Sequence, residues 1–213
     1  MKRLEEFILE KLKVNKIKPK YKPKNKKELV NLMIKEIQAN GPYCSLNHID
    51  VSDIDDMSYL FGFDDTQYVY GKAGVANFDG DISEWDVSNV TSMWEMFYNS
   101  KFNGDISSWD VSNVTNMSGM FQNSIFNGDI SDWDVSSVKN MSNMFDKSKF
   151  NGDISDWDVS SVEVFYSMFR NSIFNGDVSG WKLNPKAKGH IDSIFMNSPL
   201  ERTLPAWYYK YKI

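Results

Sequence analysis

Apolar residues recur along this chain with a period of 24 positions. Five tryptophans mark the period, Trp85, Trp109, Trp133, Trp157 and Trp181. Valine, methionine, phenylalanine and isoleucine return at fixed offsets between them, and the polar residues in between repeat as well. A fixed period in the range of roughly 20–50 residues is typical of a solenoid, in which each coil buries its apolar side against the next. The pattern therefore predicts a stack of coils.

Within one copy, the apolar positions predict a short helix followed by a short strand. Helical spacing is shown by Val114, Met117, Met120 and Phe121. Asn123 suits the end of that helix because asparagine tolerates the left-handed conformation, and Gly128 suits the following turn because glycine accepts a positive φ. Residues 130–133 form an extended segment with an apolar residue at each end. The predicted fold is an α/β repeat solenoid of the leucine-rich-repeat size class, with one short strand and one short helix per coil.

Degenerate copies extend the array in both directions, and one of them carries an insert. Residues 62–77 are 12 residues longer than the repeat requires, and insertions in solenoids emerge as loops, often on the binding face. The predicted division is an amphipathic, Lys/Pro-rich segment at 1–25, a helical N-terminal cap at 26–43, the repeats at 44–207 and a tail at 208–213.

The helical cap is predicted from its own sequence signals. Asn25 is a suitable N-cap residue with Glu28 three positions on, and Gly41 with Pro42 stops the helix. An apolar stripe is formed by Leu29, Leu32, Met33 and Ile37. A repeat array has an exposed apolar end that a terminal segment must cover, and this helix is expected to do so.

The repeat also resembles a known family. The pattern M-x-x-M-F-x-x-S-x-F-N-G-D-I-S-x-W-D-V-S-x-V is similar to the BspA-type leucine-rich repeats of bacterial surface proteins, whose units are about 24–26 residues long. The resemblance covers residues 44–207. It implies a leucine-rich-repeat-like solenoid used for protein recognition or adhesion, and it brings no catalytic residues with it.

Charge separates the start of the chain from the rest. Residues 1–28 hold 11 Lys/Arg and four Glu, net +7, and residues 29–213 hold 13 against 25, net −12, which together give −5. Within the basic part, residues 16–27 alternate lysine with proline and are predicted to be a solvated linker. The alternatives are contacts with nucleic acid, with an anionic membrane surface or with the acidic remainder, and the acidic remainder argues against nucleic acid. Before it, an amphipathic stretch is formed by Leu4, Phe7, Ile8 and Leu12. Two readings of that stretch stay open, a segment folded back on the solenoid and a peptide that docks on a partner.

No export or membrane signal is apparent in the sequence. The N-terminal stretch is interrupted by charged residues, unlike a signal peptide, and no apolar run is long enough to span a bilayer. The expected location is therefore the cytoplasm, or the inside of a virion or other particle.

Residues with catalytic or metal-binding chemistry are few. Cys44 and His48 lie four positions apart, but no third group is available to orient them, so no catalytic site and no cofactor are expected. Stacking should align one aspartate per coil in a column, Asp81, Asp105, Asp129, Asp153 and Asp177. Such a column suggests calcium or, as we favour, carboxylates that hold their own turns, and no metal site is predicted.

Aromatic residues that break the repeat are the best candidates for binding. Phe63, Tyr68 and Tyr70 lie in the insert, and Trp94 and Tyr98 occupy outward positions in the next copy. The alternative is that the insert folds over Trp94 and buries it. The expected function is a non-enzymatic scaffold that binds another protein. The alternatives are a structural or cargo component of a phage particle, addressed by the N-terminal segment, and a cell-surface adhesin.

Overall fold

The chain forms a stack of coils in a computed structural model that describes residues 21–62 and 75–212. We number the coils from the N-terminus: coil 1 is 45–80, coil 2 is 81–104, coil 3 is 105–128, coil 4 is 129–152, coil 5 is 153–176 and coil 6 is 177–202. Single parallel bridges join neighbouring coils, at Asp56–Ser92, Ser92–Asn116, Asn116–Asn140 and Asn140–Val164. The 24-residue period therefore does stack equivalent residues upon one another.

The predicted α/β solenoid, with a strand and a helix in every coil, is wrong. The α-helices of the described residues are α1 (Lys26–Asn40) and α2 (Ala206–Tyr211), and both lie outside the coils. Short 3-10 helices occur at Val75–Asn77, Pro185–Ala187 and Pro199–Arg202. Over 21–62 and 75–212 the pairing between coils consists of isolated one-residue bridges, without an extended strand. The coils themselves are built from turns.

The predicted helix fails because its backbone N–H groups bond to the next coil. Met117, Gly119, Phe121 and Asn123 donate to carbonyls of coil 4 at 2.8–3.0 Å. An α-helix would direct these donors to the carbonyl four residues back. Gly119 and Asn123 also have positive φ values of 64° and 55°, which a helix interior does not allow. Asn123 thus takes the left-handed conformation expected of it, but within a series of turns.

The predicted strand is likewise a turn. The Asp129 carboxylate accepts hydrogen bonds from the backbone N–H and the hydroxyl of Ser131 at 3.0 and 2.8 Å. Trp133 N–H then donates to the Ile130 carbonyl at 3.3 Å. Local side-chain hydrogen bonds of this kind compete with sheet pairing, and in this segment they form in place of it.

The glycine that follows each asparagine serves close packing, contrary to the prediction. Gly128 does not adopt a positive φ, and a Cβ added there would lie 2.9 Å from two atoms of the Phe126 ring. The glycine is required because this ring folds back onto its own backbone. Gly104, Gly152 and Gly176 have the same relation to the phenylalanine two residues before them.

The core consists of columns that contain one residue from each coil. The members that coil 3 contributes to these buried columns are Ile106, Trp109, Val111, Val114, Met117, Met120, Phe121 and Phe126. Consecutive rings of the Phe121 column, from Phe97 to Phe169, are stacked with centroids 5.5–5.8 Å apart. Each tryptophan of the period is buried and donates its indole N–H to a carbonyl of the preceding coil, as Trp133 does to Ile106 at 3.1 Å.

Helix α1 forms at the N-terminal end of the core, as the sequence predicted. The Asn25 side chain accepts the Glu28 N–H at 3.0 Å, and Gly41 follows the last turn. The buried residues of α1 are Leu29, Val30, Met33 and Ile37, all part of the common core, whereas the predicted Leu32 is only partly buried. The helix contacts Val75–Asn77 at the end of the insert.

The C-terminal end is closed by α2. Trp207 stacks on Trp181 with ring centroids 6.5 Å apart and donates to the Val178 carbonyl at 2.8 Å, so it continues the tryptophan column. The sequence predicted that Trp207 belongs to the column, but it placed this residue in a strand. The segment is instead a helix that begins after Pro205 and buries Trp207 and Tyr211. The predicted boundary between repeats and tail therefore lies inside α2.

Candidate functional site

Two long surfaces run parallel to the stack. We call the first the Asp–Ser face, comprising residues 81–91 and their equivalents in later coils. The second is the Met–Phe face, comprising residues 92–99 and their equivalents. They differ in how far their outward side chains repeat from coil to coil.

On the Asp–Ser face the aspartates hold turns. Asp105, Asp129, Asp153 and Asp177 each accept the backbone N–H of the serine two residues on, at 2.8–3.0 Å. Those backbone bonds, assisted by the serine hydroxyls, lower the pKa of each carboxyl below its usual value. The face therefore carries a regular row of ionised carboxylates at neutral pH.

These carboxylates are already engaged in turn hydrogen bonds and stand one per coil. Over residues 21–62 and 75–212, no group of three or more His, Cys, Asp or Glu side chains is arranged to hold a metal ion. The asparagines of the adjacent column are engaged as well. Asn103, Asn127 and Asn151 each accept the backbone N–H of the equivalent residue in the next coil at 2.7–2.8 Å.

On the Met–Phe face the backbone repeats and the outward side chains do not. One outward position is occupied in coils 2 to 6 by Trp94, Ser118, Ser142, Tyr166 and Asp192. A second is occupied by Tyr98, Gln122, Asp146, Arg170 and Met196. Of the predicted binding residues, Trp94 is 40% exposed and Tyr98 is half-buried. The chemistry of this surface therefore changes along the stack.

A buried carboxylate lies at the centre of the Met–Phe face. Asp146 is fully buried, and Arg170 donates to both of its oxygens, Nε to Oδ1 at 3.1 Å and Nη2 to Oδ2 at 2.8 Å. The Gln122 amide donates to Oδ2 at 3.0 Å and the Asn171 amide to Oδ1 at 3.4 Å. The carboxylate thus connects coils 3, 4 and 5 and fixes the side chains around it.

Aromatic residues lie on either side of this network. Trp94 packs edge-on against Tyr59 with ring centroids 4.8 Å apart and donates its indole N–H to Glu95 at 3.1 Å. Three coils further on, Tyr166 is 37% exposed, and its hydroxyl lies 2.6 Å from Nδ1 of His190. The face presents two exposed aromatic groups joined by a polar, hydrogen-bonded centre.

A family model matches the chain over residues 29–125 and again over residues 102–207, which together reach from α1 to α2. Its description is "Mycoplasma protein of unknown function, DUF285". The chain belongs to the DUF285 family. No curated protein matches it, and no solved structure does. The DUF285 description assigns no function, so the interpretation of the surfaces depends on their geometry.

Several predicted site residues of this DUF285 chain fall outside the described ranges. Phe63, Tyr68 and Tyr70 of the insert do so, as does the proposed docking stretch of Leu4, Phe7, Ile8 and Leu12. Of the predicted set, the structure describes Trp94 and Tyr98, and both lie on the Met–Phe face.

Sequence reasoning missed the C-terminal half of the varied face. Tyr166 and Arg170 replace residues that are serine, glutamine or aspartate in coils 3 and 4. Their departure from the repeat was visible, and a search for such departures along the whole array would have found them. The pairing of Arg170 with Asp146 was not visible, because it depends on one coil lying directly upon another.

His48 and Cys44, the two residues considered for nucleophilic chemistry, lie at the N-terminal end of the stack. His48 lies 3.7 Å from the Glu36 carboxylate and against the Tyr21 ring. Burial raises the pKa of the Cys44 thiol, which favours the unreactive protonated form. Among the described residues, no helix is long and apolar enough to cross a membrane.

Proposed function

We propose that this chain is a non-enzymatic scaffold that binds another protein through its Met–Phe face. The observation that carries the proposal is the variation of outward side chains on that face, on a backbone that repeats from coil to coil. A repetitive surface offers a partner many equivalent registers. A surface whose side chains change along the stack offers one.

The residue types on this face favour protein recognition. Tryptophan, tyrosine and arginine are enriched among the residues that dominate binding energy at protein interfaces. Trp94, Tyr166 and Arg170 all lie here, and the first two are substantially exposed. Aromatic rings supply a large contact area with few rotatable bonds, so ordering them on binding costs little entropy.

The rigidity of the face supports the same function. Each coil donates backbone N–H groups to the next, and the Asp146 carboxylate accepts four side-chain hydrogen bonds from the two coils on either side of it. A recognition surface built on such a framework keeps its side chains in place before the partner arrives, which reduces the entropic cost of association. The ionised Asp–Ser face, in contrast, would repel nucleic-acid phosphates.

The experiment compares capture of cellular proteins by the immobilised chain and by single variants. We expect Trp94→Ala and Tyr166→Ala each to lower recovery of the same partner by at least about tenfold, the effect of losing a hot-spot side chain. The matched control is Tyr43→Ala, because Tyr43 is 77% exposed and lies outside the face. Recovery that is equal for all three variants, with unchanged melting curves, would refute the proposed surface.

A further inference from the structure

A column of alternating lysine and isoleucine borders the Met–Phe face. It comprises Lys101, Ile125, Lys149 and Ile173, one residue from each of coils 2 to 5, and we call it the Lys–Ile column. Backbone bonds stack its members directly, since Ile125 N–H donates to Ser100 and Lys149 N–H to Ser124, at 3.4 and 3.1 Å. Its positions are therefore in fixed register along the stack.

The side chains of the column are exposed at the surface of the stack. Ile125 and Ile173 are 49% and 48% exposed, which is unusual in a chain whose other isoleucines in the coils are buried. Lys101 and Lys149 are exposed, and so is Lys147 beside them. Among the described residues, none of these three lysines forms an ion pair. The protein as a whole carries a net charge of −5, so this edge is a local basic and apolar exception.

The spacing of the column matches one kind of secondary structure. Backbones paired as these are lie about 5 Å apart, and the buried phenylalanine rings repeat every 5.5–5.8 Å. One turn of an α-helix advances about 5.4 Å, so each coil corresponds to one helical turn. Side chains on one face of a strand repeat about every 6.6 Å, so over the three steps of the column a strand would drift out of register by about 2–5 Å.

We infer that the Lys–Ile column binds an acidic amphipathic α-helix of a partner protein, laid along the stack. The glutamates of this partner helix lie seven residues apart and face Lys101 and Lys149, and leucines on the other turns cover Ile125 and Ile173. The inference rests on the proposed scaffold function and names the chemistry of the partner. Charge complementarity selects an acidic segment, and the exposed isoleucines require that the segment also carry apolar residues on the same face.

The test uses the full chain and two synthetic helical peptides of identical composition. The first carries glutamate at i and i+7 and leucine at i+4 and i+11, and the second carries its leucines on the opposite face from its glutamates. Fluorescence anisotropy should show saturable binding of the first peptide and at least about tenfold weaker binding of the second. The second peptide can pair its glutamates with the lysines, but it leaves the two isoleucine side chains exposed to water.

Variants of the chain locate the site. Ile125→Ser combined with Ile173→Ser should weaken binding of the first peptide at least about tenfold, as expected when an apolar anchor pair is lost. Lys101→Gln combined with Lys149→Gln should weaken it and reduce its dependence on salt. Lys139→Gln is the matched control, since Lys139 is exposed at the opposite edge of the Met–Phe face and should leave binding unchanged.

The outcomes separate this inference from the scaffold proposal. Equal binding of the two peptides, or no effect of the isoleucine pair, overturns the helix site while leaving Trp94-dependent capture of a partner intact. If instead Trp94→Ala leaves partner capture unchanged while the first peptide still binds, the Met–Phe face is refuted as the scaffold surface and the column remains a binding surface. Melting curves of all variants should superpose, because every substituted side chain is exposed.

Discussion

The Asp–Ser face and the Met–Phe face belong to the same stack but hold it together by different means. On the Met–Phe face the coils are joined by backbone bonds, such as Gly119 N–H to the Ser142 carbonyl at 2.8 Å. On the Asp–Ser face a backbone bond joins them at one edge, from Thr115 N–H to the Thr91 carbonyl at 2.9 Å, and elsewhere side chains do so, such as the Trp133 indole and the Asn113 amide, which donates to the Ser88 carbonyl at 2.8 Å. Where the backbone does the pairing, outward side chains are free to differ.

This difference explains why one surface is uniform and the other varied. On the Asp–Ser face, an aspartate that accepts a serine N–H, or an asparagine or tryptophan that donates to another coil, cannot be replaced by a side chain without that hydrogen-bonding group except with loss of a turn or of a contact between coils. A residue such as Ser118 or Tyr166 can change, because the N–H and carbonyl of its peptide neighbours still pair. The first face is therefore expected to determine the stability of the stack, and the second is expected to determine recognition.

The largest expected effect follows from removing one tryptophan of the period. Trp133→Ala should lower the free energy of unfolding by about 3–5 kcal/mol, because it opens a cavity and removes the bond to the Ile106 carbonyl. Urea denaturation monitored by circular dichroism measures it. Trp94→Ala is the control from the other face and should cost less than about 1 kcal/mol, since that ring is 40% exposed. Similar losses in both variants would contradict the comparison.

The next effect concerns the Asp146 network, in which side chains of the Met–Phe face bond between coils. Asp146→Ala should cost about 2–4 kcal/mol, because Arg170 would lose both of its partner oxygens in a partly buried position. The double variant Asp146→Gln with Arg170→Gln introduces the residue that coil 3 carries there, and it should cost less than about 1 kcal/mol. If the double variant is as unstable as the single one, the network is essential to the stack. The same denaturation assay applies.

An ion pair at the surface is expected to contribute less to stability than the buried Asp146–Arg170 pair. Glu163 and Lys186 lie 2.7 Å apart but are solvent-accessible. Glu163→Ala should therefore change the free energy of unfolding by less than about 0.5 kcal/mol. A larger change would mean that exposed charges contribute to coil stacking.

The sequence predicted the period, the inward columns and the capping helix, because these depend on burial at fixed spacing. It did not predict the elements inside a coil. Met117, Met120 and Phe121 have helical spacing, yet the same spacing buries them in consecutive turns once their N–H groups bond to the next coil. Periodicity reports which side chains face inward, and it cannot report whether a backbone donor finds its partner four residues back or one coil away.

Prediction of the candidate surface was limited in the same way. Trp94 was found because it is a large aromatic residue beside an irregular segment. The sequence did not indicate the exposed isoleucines, because an isoleucine that recurs in a repeat is expected to be buried. The structure shows that Ile125 is half-exposed, whereas the adjacent Phe126 is buried in the core. The Asp146–Arg170 pair joins residues 24 positions apart that local sequence does not connect.

A fourth prediction compares two glycines on the repeat. Gly128→Ala should cost about 1–3 kcal/mol, because the new methyl group would lie 2.9 Å from the Phe126 ring and force it to move. Gly180→Ala should change stability by less than about 1 kcal/mol, since no atom lies within 4 Å of the added carbon. Denaturation midpoints measure both. Equal losses would mean that the ring can shift freely and that the glycine column does not fix the coil shape.

The smallest effect is a change in acid sensitivity that should be confined to the turn aspartates. Serine N–H groups lower the pKa of Asp129 and Asp153 in the folded chain below the usual 3.8, so unfolding releases these carboxyls to a higher pKa. Their stabilisation is complete above the unfolded pKa and is lost as pH falls through the folded one. Asparagine should preserve the turns, because Asn116 and Asn140 on the Met–Phe face each accept the N–H of the serine two residues on, at 3.0 and 2.9 Å.

Asp129→Asn combined with Asp153→Asn should therefore flatten the fall in urea midpoint between about pH 5 and pH 3, because two carboxyls with shifted pKa values no longer take up protons on unfolding. Asp132→Asn combined with Asp156→Asn is the matched control: it removes the same charge from the same two coils and leaves the turns intact. If the assignment of stability to the turn carboxylates is correct, only the first pair alters the slope of midpoint against pH. Identical slopes in the two double variants would show that acid acts through the net charge of the Asp–Ser face, and the turn bonds would then contribute no measurable pH dependence.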